Sequence, residues 1–270
     1  MIKISVIVTT YNRPTALALV LQALAAQVSV GSGCQTDEFE AIVADDGSTP
    51  ATAELITQLQ PYLPYPVQHI WQEDHGFRAA RARNRAVAAA RGHYLIFLDG
   101  DCIPQTDFVA RHYKLAEKGW FVAGNRILLS QKFTAQVLLE QSLRQGGIWT
   151  WHTIQWLLPY LRRDINRLLP LFRLPDSALR KRHQQKWQGA KTCNLALWRE
   201  DILRINGFDE EFQGWGHEDA ELVVRLLHNG VCRKEGRFAV PVFHLWHPEQ
   251  DRSQEERNRQ RLEQRLQFQS

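Results

Sequence analysis

At 270 residues, with 44% apolar and 23% charged side chains and a net charge of +4, the chain can bury one large α/β core or two small ones. These proportions exclude a disordered or membrane-embedded chain, and no apolar stretch approaches the roughly 20 residues that cross a bilayer. Cys34, Cys102, Cys193 and Cys232 lack paired spacing, and the chain opens on a strand-like run rather than a charged and apolar leader. Both features predict a cytoplasmic protein with reduced thiols and no signal peptide, disulfide framework or zinc knuckle.

The first half alternates strand and helix. Ile4–Val8 reads as a strand, and Pro14–Gln27 as a helix opened by proline in its first turn. Phe39–Ala44 is a second strand, Pro50–Leu59 a second helix and Val67–Trp71 a short third strand. Arg78–Ala90, rich in alanine, reads as a helix leading into the apolar run Tyr94–Leu98, a strand buried on both faces. Repeated βα units of this kind predict an α/β fold with a mostly parallel, doubly wound sheet, and ligands at the carboxyl ends of its strands.

Three of those strand ends carry polar clusters: Thr9-Thr10-Tyr11-Asn12-Arg13, Asp45-Asp46-Gly47-Ser48 and Asp99-Gly100-Asp101. Residues two apart in an extended chain project to the same side, so Asp99 and Asp101 can aim at one point, and Gly100 lets that point approach the backbone. Two carboxylates so placed suit a hard divalent cation, Mn²⁺ or Mg²⁺. Each cluster alone is also good turn chemistry. Their shared edge on one sheet favours a common site.

The second half changes character. Residues 144–186 hold nine Lys or Arg (Arg144, Arg162, Arg163, Arg167, Arg173, Arg180, Lys181, Arg182, Lys186) against Asp164 and Asp176. Trp149, Trp151 and Trp156 are interleaved with leucines, and Pro159, Pro170 and Pro175 break the segment into short helical pieces. Such a helical basic insert fits an anionic membrane surface, or packs its Trp and Leu residues on the core. Beyond it, Gly214-Trp215-Gly216-His217-Glu218-Asp219 sets a flexible loop and one large ring before an amphipathic helix, Ala220–His228. Acids in a first helical turn suit the helix dipole, and the same acids beside an aromatic platform suit a general base next to a sugar ring. Val242–His247 is strand-like and ends in two imidazoles, His244 and His247, whose spacing would place them on opposite faces unless the strand ends first. The tail from Gln250 reads as a solvated helix or a frayed end.

Val6–Arg13, Asp45–Thr49 and Asp99–Asp101 resemble the nucleotide-sugar half of glycosyltransferase family 2, with its GT-A fold. Gly189–Ala196 and Gly214–Asp219 are similar to acceptor-side motifs of β-1,4-galactosyltransferases and bacterial chondroitin polymerases. The resemblance covers about residues 2–128 and 187–247, which implies a nucleotide-sugar half (1–128), the insert (129–187), an acceptor half of the same domain (188–249) and a charged tail (250–270). It implies Asp101 as direct metal ligand, with Asp99 on ribose or metal-bound water and His244 or His247 completing the site. Asp45 and Asp46 would hold uracil or ribose, with Thr9, Tyr11 and Arg13 closing round the base. Arg78, Arg81 and Asn84 are implied for base and diphosphate, against the alternative of a solvated helix face. Asp219 would deprotonate the acceptor hydroxyl. Glu218, Trp215, Gly216, His217 and Asn194 would hold the acceptor, although His217 departs from the small residue common there and would narrow the pocket.

The function so implied is metal-dependent, inverting transfer from a nucleotide sugar, expected to be a UDP-sugar, to a glycan or glycolipid at the inner membrane face during surface-polysaccharide synthesis. A nucleotidyltransferase would want a glycine-rich phosphate loop where Thr-Tyr-Asn-Arg-Pro stands. A non-catalytic carbohydrate-binding domain would be expected to lose the metal pair or the base. No helix-turn-helix or RNA-binding signature accompanies the basic insert, so nucleic acid is not an expected partner.

Overall fold

The computed structural model describes residues 2–27, 38–141 and 147–267; Cys34 and Arg144 lie outside them. The first half holds β1 (Ile4–Thr10), α1 (Pro14–Ala25), β2 (Phe39–Asp45), α2 (Pro50–Leu59), β3 (Val67–Trp71), α3 (Ala79–Ala89) and β4 (Tyr94–Asp99). Every expected element of this half is present. The differences lie at ends: α1 stops two residues early, and β4 runs on to include Asp99.

After β4 the elements are shorter. They are β5 (Cys102–Pro104), α4 (Phe108–Leu115), β6 (Trp120–Ala123), β7 (Asn125–Leu128), α5 (Gln131–Gln141), α6 (Leu157–Leu161), β8 (Asn194–Trp198) and α7 (Arg199–Arg204). They are followed by α8 (Glu218–His228), β9 (Cys232–Glu235), β10 (Pro241–His244) and α9 (Glu255–Gln267). A seven-stranded sheet runs in the order β3-β2-β1-β4-β8-β6-β9, parallel across its first four strands, with β8 antiparallel to both β4 and β6. A second, three-stranded sheet has the order β5-β10-β7. Because β8 sits between β4 and β6, the two halves of the sequence share one sheet.

The alternation of a strand decides what reaches the site. On one face, Val6 and Val8 of β1 and Ile96 and Leu98 of β4 pack with α1. On the other, Ile7, Leu95 and Phe97 pack with alanines of α3 and with Leu222, Val223 and Leu226 of α8. Thr9 and Asp99 continue this second parity, so both arrive on the side where α3 and α8 begin. The chain order reverses at β1, with β2 on one flank and β4 on the other. A crevice opens at the carboxyl ends of strands at such a reversal.

The insert splits into two kinds of residue. Trp149 and Trp156 are buried, Trp156 stacking on Phe243 with ring centroids 4.0 Å apart. Core packing therefore accounts for these tryptophans, because flat rings of this size fill the space beneath β10. Pro159 lies within α6 instead of breaking it, in the first turn, where its missing N–H is not needed. The charged tail is a docked helix: Leu262 is buried and Asn258 Nδ2 donates to the Gln213 carbonyl.

Candidate active site

The strand ends meet in a cavity of about 620 Å³. Its wall takes Thr9, Tyr11, Arg13 and Asp46 from the β1 and β2 ends, and Asp99 to Asp101 from the β4 end. Trp215 to Asp219 come from the start of α8, and His244 and His247 from the end of β10. Gly100 is needed here, since a Cβ on it would lie 3.1 Å from the Thr9 carbonyl and from Thr10 Oγ1. Gly214 has φ +75°, and a Cβ there would meet Gln254 of the segment entering α9 at 2.5 Å. The tail thus backs the loop that carries Trp215.

Asp101 is the focus of one side. Its Oδ1 lies 3.6 Å from His244 Nε2, and its Oδ2 lies 3.4 Å from His247 Nε2. Strand β10 ends at His244, so the chain turns and brings His247 back to the same carboxylate, with ring centroids 5.1 Å apart. His247 Nδ1–H donates to the Pro248 carbonyl at 2.6 Å, which orients the ring with Nε2 toward Asp101. Burial lowers the pKa of His244 to about 4, so its imidazole is neutral. One carboxylate and two imidazoles form a donor set suited to a divalent transition cation. Arg13 Nη1 donates to Asp101 Oδ2 at 2.5 Å, and this guanidinium is the cation against the carboxylate in the structure. The sequence places Arg13 at the base, but its reach from the β1 end carries it to Asp101.

The second focus is a residue that the motifs do not point to. Arg83 of α3 is buried, with Nη2 3.5 Å from Asp99 Oδ1 and Nη1 3.3 Å from Glu218 Oε1 and 3.8 Å from Asp219 Oδ1. Its Nε donates to Thr9 Oγ1 at 3.1 Å. Burial, with Asp219 alongside, pushes Glu218 up to about 7 despite the guanidinium. Burial likewise pushes Asp99 up to about 7, with Arg83 opposing it and Asp101 and Asp219 adding to it. Asp99 Oδ1, though ion-paired with Arg83, makes no hydrogen bond among the described residues and keeps acceptor capacity toward the cavity. Asp219 accepts a 2.5 Å hydrogen bond from Thr192 Oγ1, which fixes its carboxylate at the cavity edge. Arg126 of β7 also lines the cavity.

The remaining residues named from sequence divide. Asp46 lines the cavity, its carboxylate accepting from Gln72 Nε2 at 2.6 Å and the Arg78 N–H at 2.7 Å. Tyr11 is exposed, and its hydroxyl donates to Asp74 at 2.9 Å. Trp215 has Arg252 over its ring at 4.6 Å, and His217 adopts φ +73°, directly before α8. Five residues are turned elsewhere. Asp45 is fully buried, accepting from the Ser48 N–H and meeting His69 Nε2, so it holds the β2 turn. Arg78 donates to the Glu73 carbonyl, and Arg81 lies on the exposed face of α3. Asn84 exchanges two hydrogen bonds with the Phe208 backbone, bracing that loop. Asn194 is buried, donating to the Asn125 and Val240 carbonyls and meeting His112, because its side chain points between β7 and β10 instead of into the cavity.

Comparison with known proteins agrees with this architecture. Residues 5–182 match the model of glycosyl transferase family 2, and residues 176–244 match a model described as the N-terminal domain of galactosyltransferase. The chain is 30% identical over 242 residues to validoxylamine A glucosyltransferase of Streptomyces hygroscopicus subsp. jinggangensis, covering 84% of this chain and 52% of that protein. It is 26% identical over 243 residues to chondroitin synthase of Escherichia coli, covering 84% and 32% respectively. The chain thus spans about half, or less, of the length of these relatives. Among solved structures, GalNAc-T7 with UDP, GalNAc and Mn²⁺ superposes with a TM-score of 0.62 at 16% identity, over 98% of this chain and 48% of that one. TarS 1-349 of S. aureus superposes with a TM-score of 0.57 at 17% identity, over 90% and 60%. With its mixed sheet, its Asp99-Gly100-Asp101 strand end and its acidic α8 start, the chain belongs to glycosyl transferase family 2 and has the GT-A fold.

Proposed function

We propose that the chain transfers a glycosyl group from a UDP-sugar to a hydroxyl of a glycan or glycolipid acceptor in surface-polysaccharide synthesis, with inversion at the anomeric carbon. The observation that carries this reading is the division of one cavity into two chemical poles. Asp101, His244 and His247 converge at one pole, and Glu218 and Asp219 at the other, with Arg83 and Asp99 between them.

Asp101, His244 and His247 would hold a divalent cation, Mn²⁺ or Mg²⁺, which when bound neutralises charge on the leaving diphosphate. Asp46 and Tyr11 would receive the nucleoside, and Asp99 the ribose. Asp219, held by Thr192, takes the proton from the acceptor hydroxyl. The acceptor oxygen then bonds to the anomeric carbon as the bond from that carbon to the diphosphate oxygen breaks. A single in-line displacement of this kind inverts the centre. Trp215 offers the acceptor sugar an aromatic face. Glu218, whose proton is retained to about pH 7, can donate to the acceptor as well as accept from Arg83.

A nucleotide-sugar screen tests the reading, following UDP release with Mn²⁺ and with EDTA. Metal-dependent UDP release from at least one UDP-sugar, enhanced by an oligosaccharide acceptor, is the expected result. Equal release with EDTA removes the metal from the scheme, and no release from any donor removes glycosyl transfer.

A further inference from the structure

The surface of the insert is a prominent feature that glycosyl transfer does not use. Of sixteen large apolar side chains exposed among the described residues, nine lie between 154 and 179. Ile154 is 74% exposed, Leu161 and Leu169 are each 68% exposed, and Leu157, Leu158 and Phe172 are also in solvent. Exposed apolar side chains at this density mark a surface that another body covers. The tryptophans take no part in it, since Trp149 and Trp156 are in the core.

The basic residues of the insert fall into two groups. Arg173 is tied to Asp107 at 3.0 Å, and Arg180 donates to the Leu174, Glu235 and Arg237 carbonyls. These two are structural. Arg162 and Arg163 follow directly on α6 and Arg167 lies just beyond Asn166; all three are exposed, and their guanidinium groups make no ion pair or hydrogen bond among the described residues. Exposed leucines flanked by uncompensated arginines complement an anionic bilayer. The apolar groups enter the acyl boundary and the guanidinium groups meet the phosphates.

The same segment is stitched to the cavity wall. The Leu128 N–H donates to Asn166 Oδ1 at 2.9 Å, and the Asn166 N–H returns to the Leu128 carbonyl at 3.2 Å. The Ser130 N–H donates to the Asp164 carbonyl at 2.8 Å, and Leu129 forms a β-bridge with Ile165. Leu128 and Leu129 both line the cavity.

From this continuity we infer that residues 154–172 dock the protein on an anionic lipid surface beside the cavity mouth, and that the acceptor is lipid-linked and enters from the bilayer side. The docking stands on its own; the acceptor half rests on the glycosyl-transfer reading. Flotation of the full chain with phosphatidylcholine vesicles, with and without phosphatidylglycerol, tests it. Binding to the anionic vesicles alone, weakening as salt rises, is expected. Each basic residue near such a surface contributes about fivefold, so Arg162→Gln/Arg163→Gln should weaken vesicle partition about twenty-five-fold. Leu157→Ser/Leu161→Ser should weaken it too, with the thermal midpoint and its response to Mn²⁺ unchanged in both variants. The inference is overturned by no flotation at low salt, by equal flotation of wild type and both variants, or by a dimer in solution that the leucine variant dissociates. Flotation without turnover of any UDP-sugar would overturn the glycosyl-transfer reading and leave the docking intact.

Discussion

Arg83 and Glu218 are 135 positions apart in the chain, and Arg83 Nη1 lies 3.3 Å from Glu218 Oε1 in the interior. This pair joins α3, which packs on the first-half strands, to α8, which begins with Glu218 and Asp219. Arg83 also reaches Asp99, so a single guanidinium sits among three carboxylates that would otherwise repel each other.

Replacing Arg83 should therefore damage the fold and the reaction together. Removing one partner of a buried, charged cluster costs about 3–5 kcal/mol. Arg83→Met is expected to lower unfolding stability by about that amount at pH 8, read by urea titration. Lower pH should return part of the loss. Glu218 and Asp99 have native pKa values raised to about 7, above their unfolded values, so the native state binds more protons across that interval. Their contribution is fully present below the unfolded carboxylate range and fades as pH rises through about 7. A variant whose deficit is the same at pH 5 and pH 8 would contradict this account.

Asp101→Ala should remove the response to metal. With Mn²⁺ at about one hundred times its Kd, wild type gains about 2.7 kcal/mol of stability, visible as a rise in thermal midpoint. The variant should show none of this rise, and UDP release should fall to the level seen with EDTA. A full Mn²⁺ shift in the variant would place the cation elsewhere.

Arg13 occupies Asp101 Oδ2, where the proposed cation would have to bind. Arg13→Gln is expected to tighten Mn²⁺ binding about tenfold in the absence of donor, because a charge-assisted hydrogen bond of about 1.5–3 kcal/mol no longer opposes it. Isothermal titration of Mn²⁺ into both proteins measures this. Weaker binding in the variant would make Arg13 a supporter of the site and not a rival.

Asp219→Asn keeps the hydrogen bond to Thr192 available but cannot accept the hydroxyl proton. Transfer should drop about 10²- to 10⁴-fold, the usual contribution of a positioned base, while UDP affinity stays within a factor of two or so. Comparable loss of UDP affinity would assign the residue to donor binding.

Asn194→Ala separates a bracing role from an acceptor contact. Its amide satisfies the Asn125 and Val240 carbonyls and His112, all in the interior. Leaving such groups unpaired costs about 1–3 kcal/mol each, so a large loss of stability is expected. The acceptor KM of the protein that remains folded should not change. A raised KM with normal stability would reverse the assignment.

Most of the first half was legible because its signals are long and periodic. Buried runs such as Tyr94–Leu98 and proline at helix starts leave little ambiguity, and strand parity then predicts what Thr9 and Asp99 face. The convergence of Asp101 with an imidazole was legible up to the choice between His244 and His247, and both approach it because β10 stops at His244. Strands β5 to β9 escaped because each has five residues or fewer and pairs with distant segments. Arg83 carried a readable signal that its neighbours masked. The buried face of α3 is Ala79, Ala80, Ala82, Ala86 and Val87, and of the arginines at 81, 83 and 85 only Arg83 falls in that phase. Asn194 misled because a motif gives an identity without an orientation. One step along β8, the side chain turns from cavity to interior.

The approach of His244 to Asp101 depends on the register of the small sheet, where His244 pairs with Cys102 and Phe243 with Ile103. A slip of one residue would turn His244 away from Asp101 and put Phe243 in its place. The partners, β5 in the middle of the chain and β10 near its end, are far apart in sequence, so their pairing is a long-range contact of the kind that forms slowly. If the pole at Asp101 holds a cation as proposed, that competence is acquired late, and recovery of a Mn²⁺ response during refolding should lag behind recovery of helical signal. The meeting of His244 with Asp101 would thereby mark the completion of this fold.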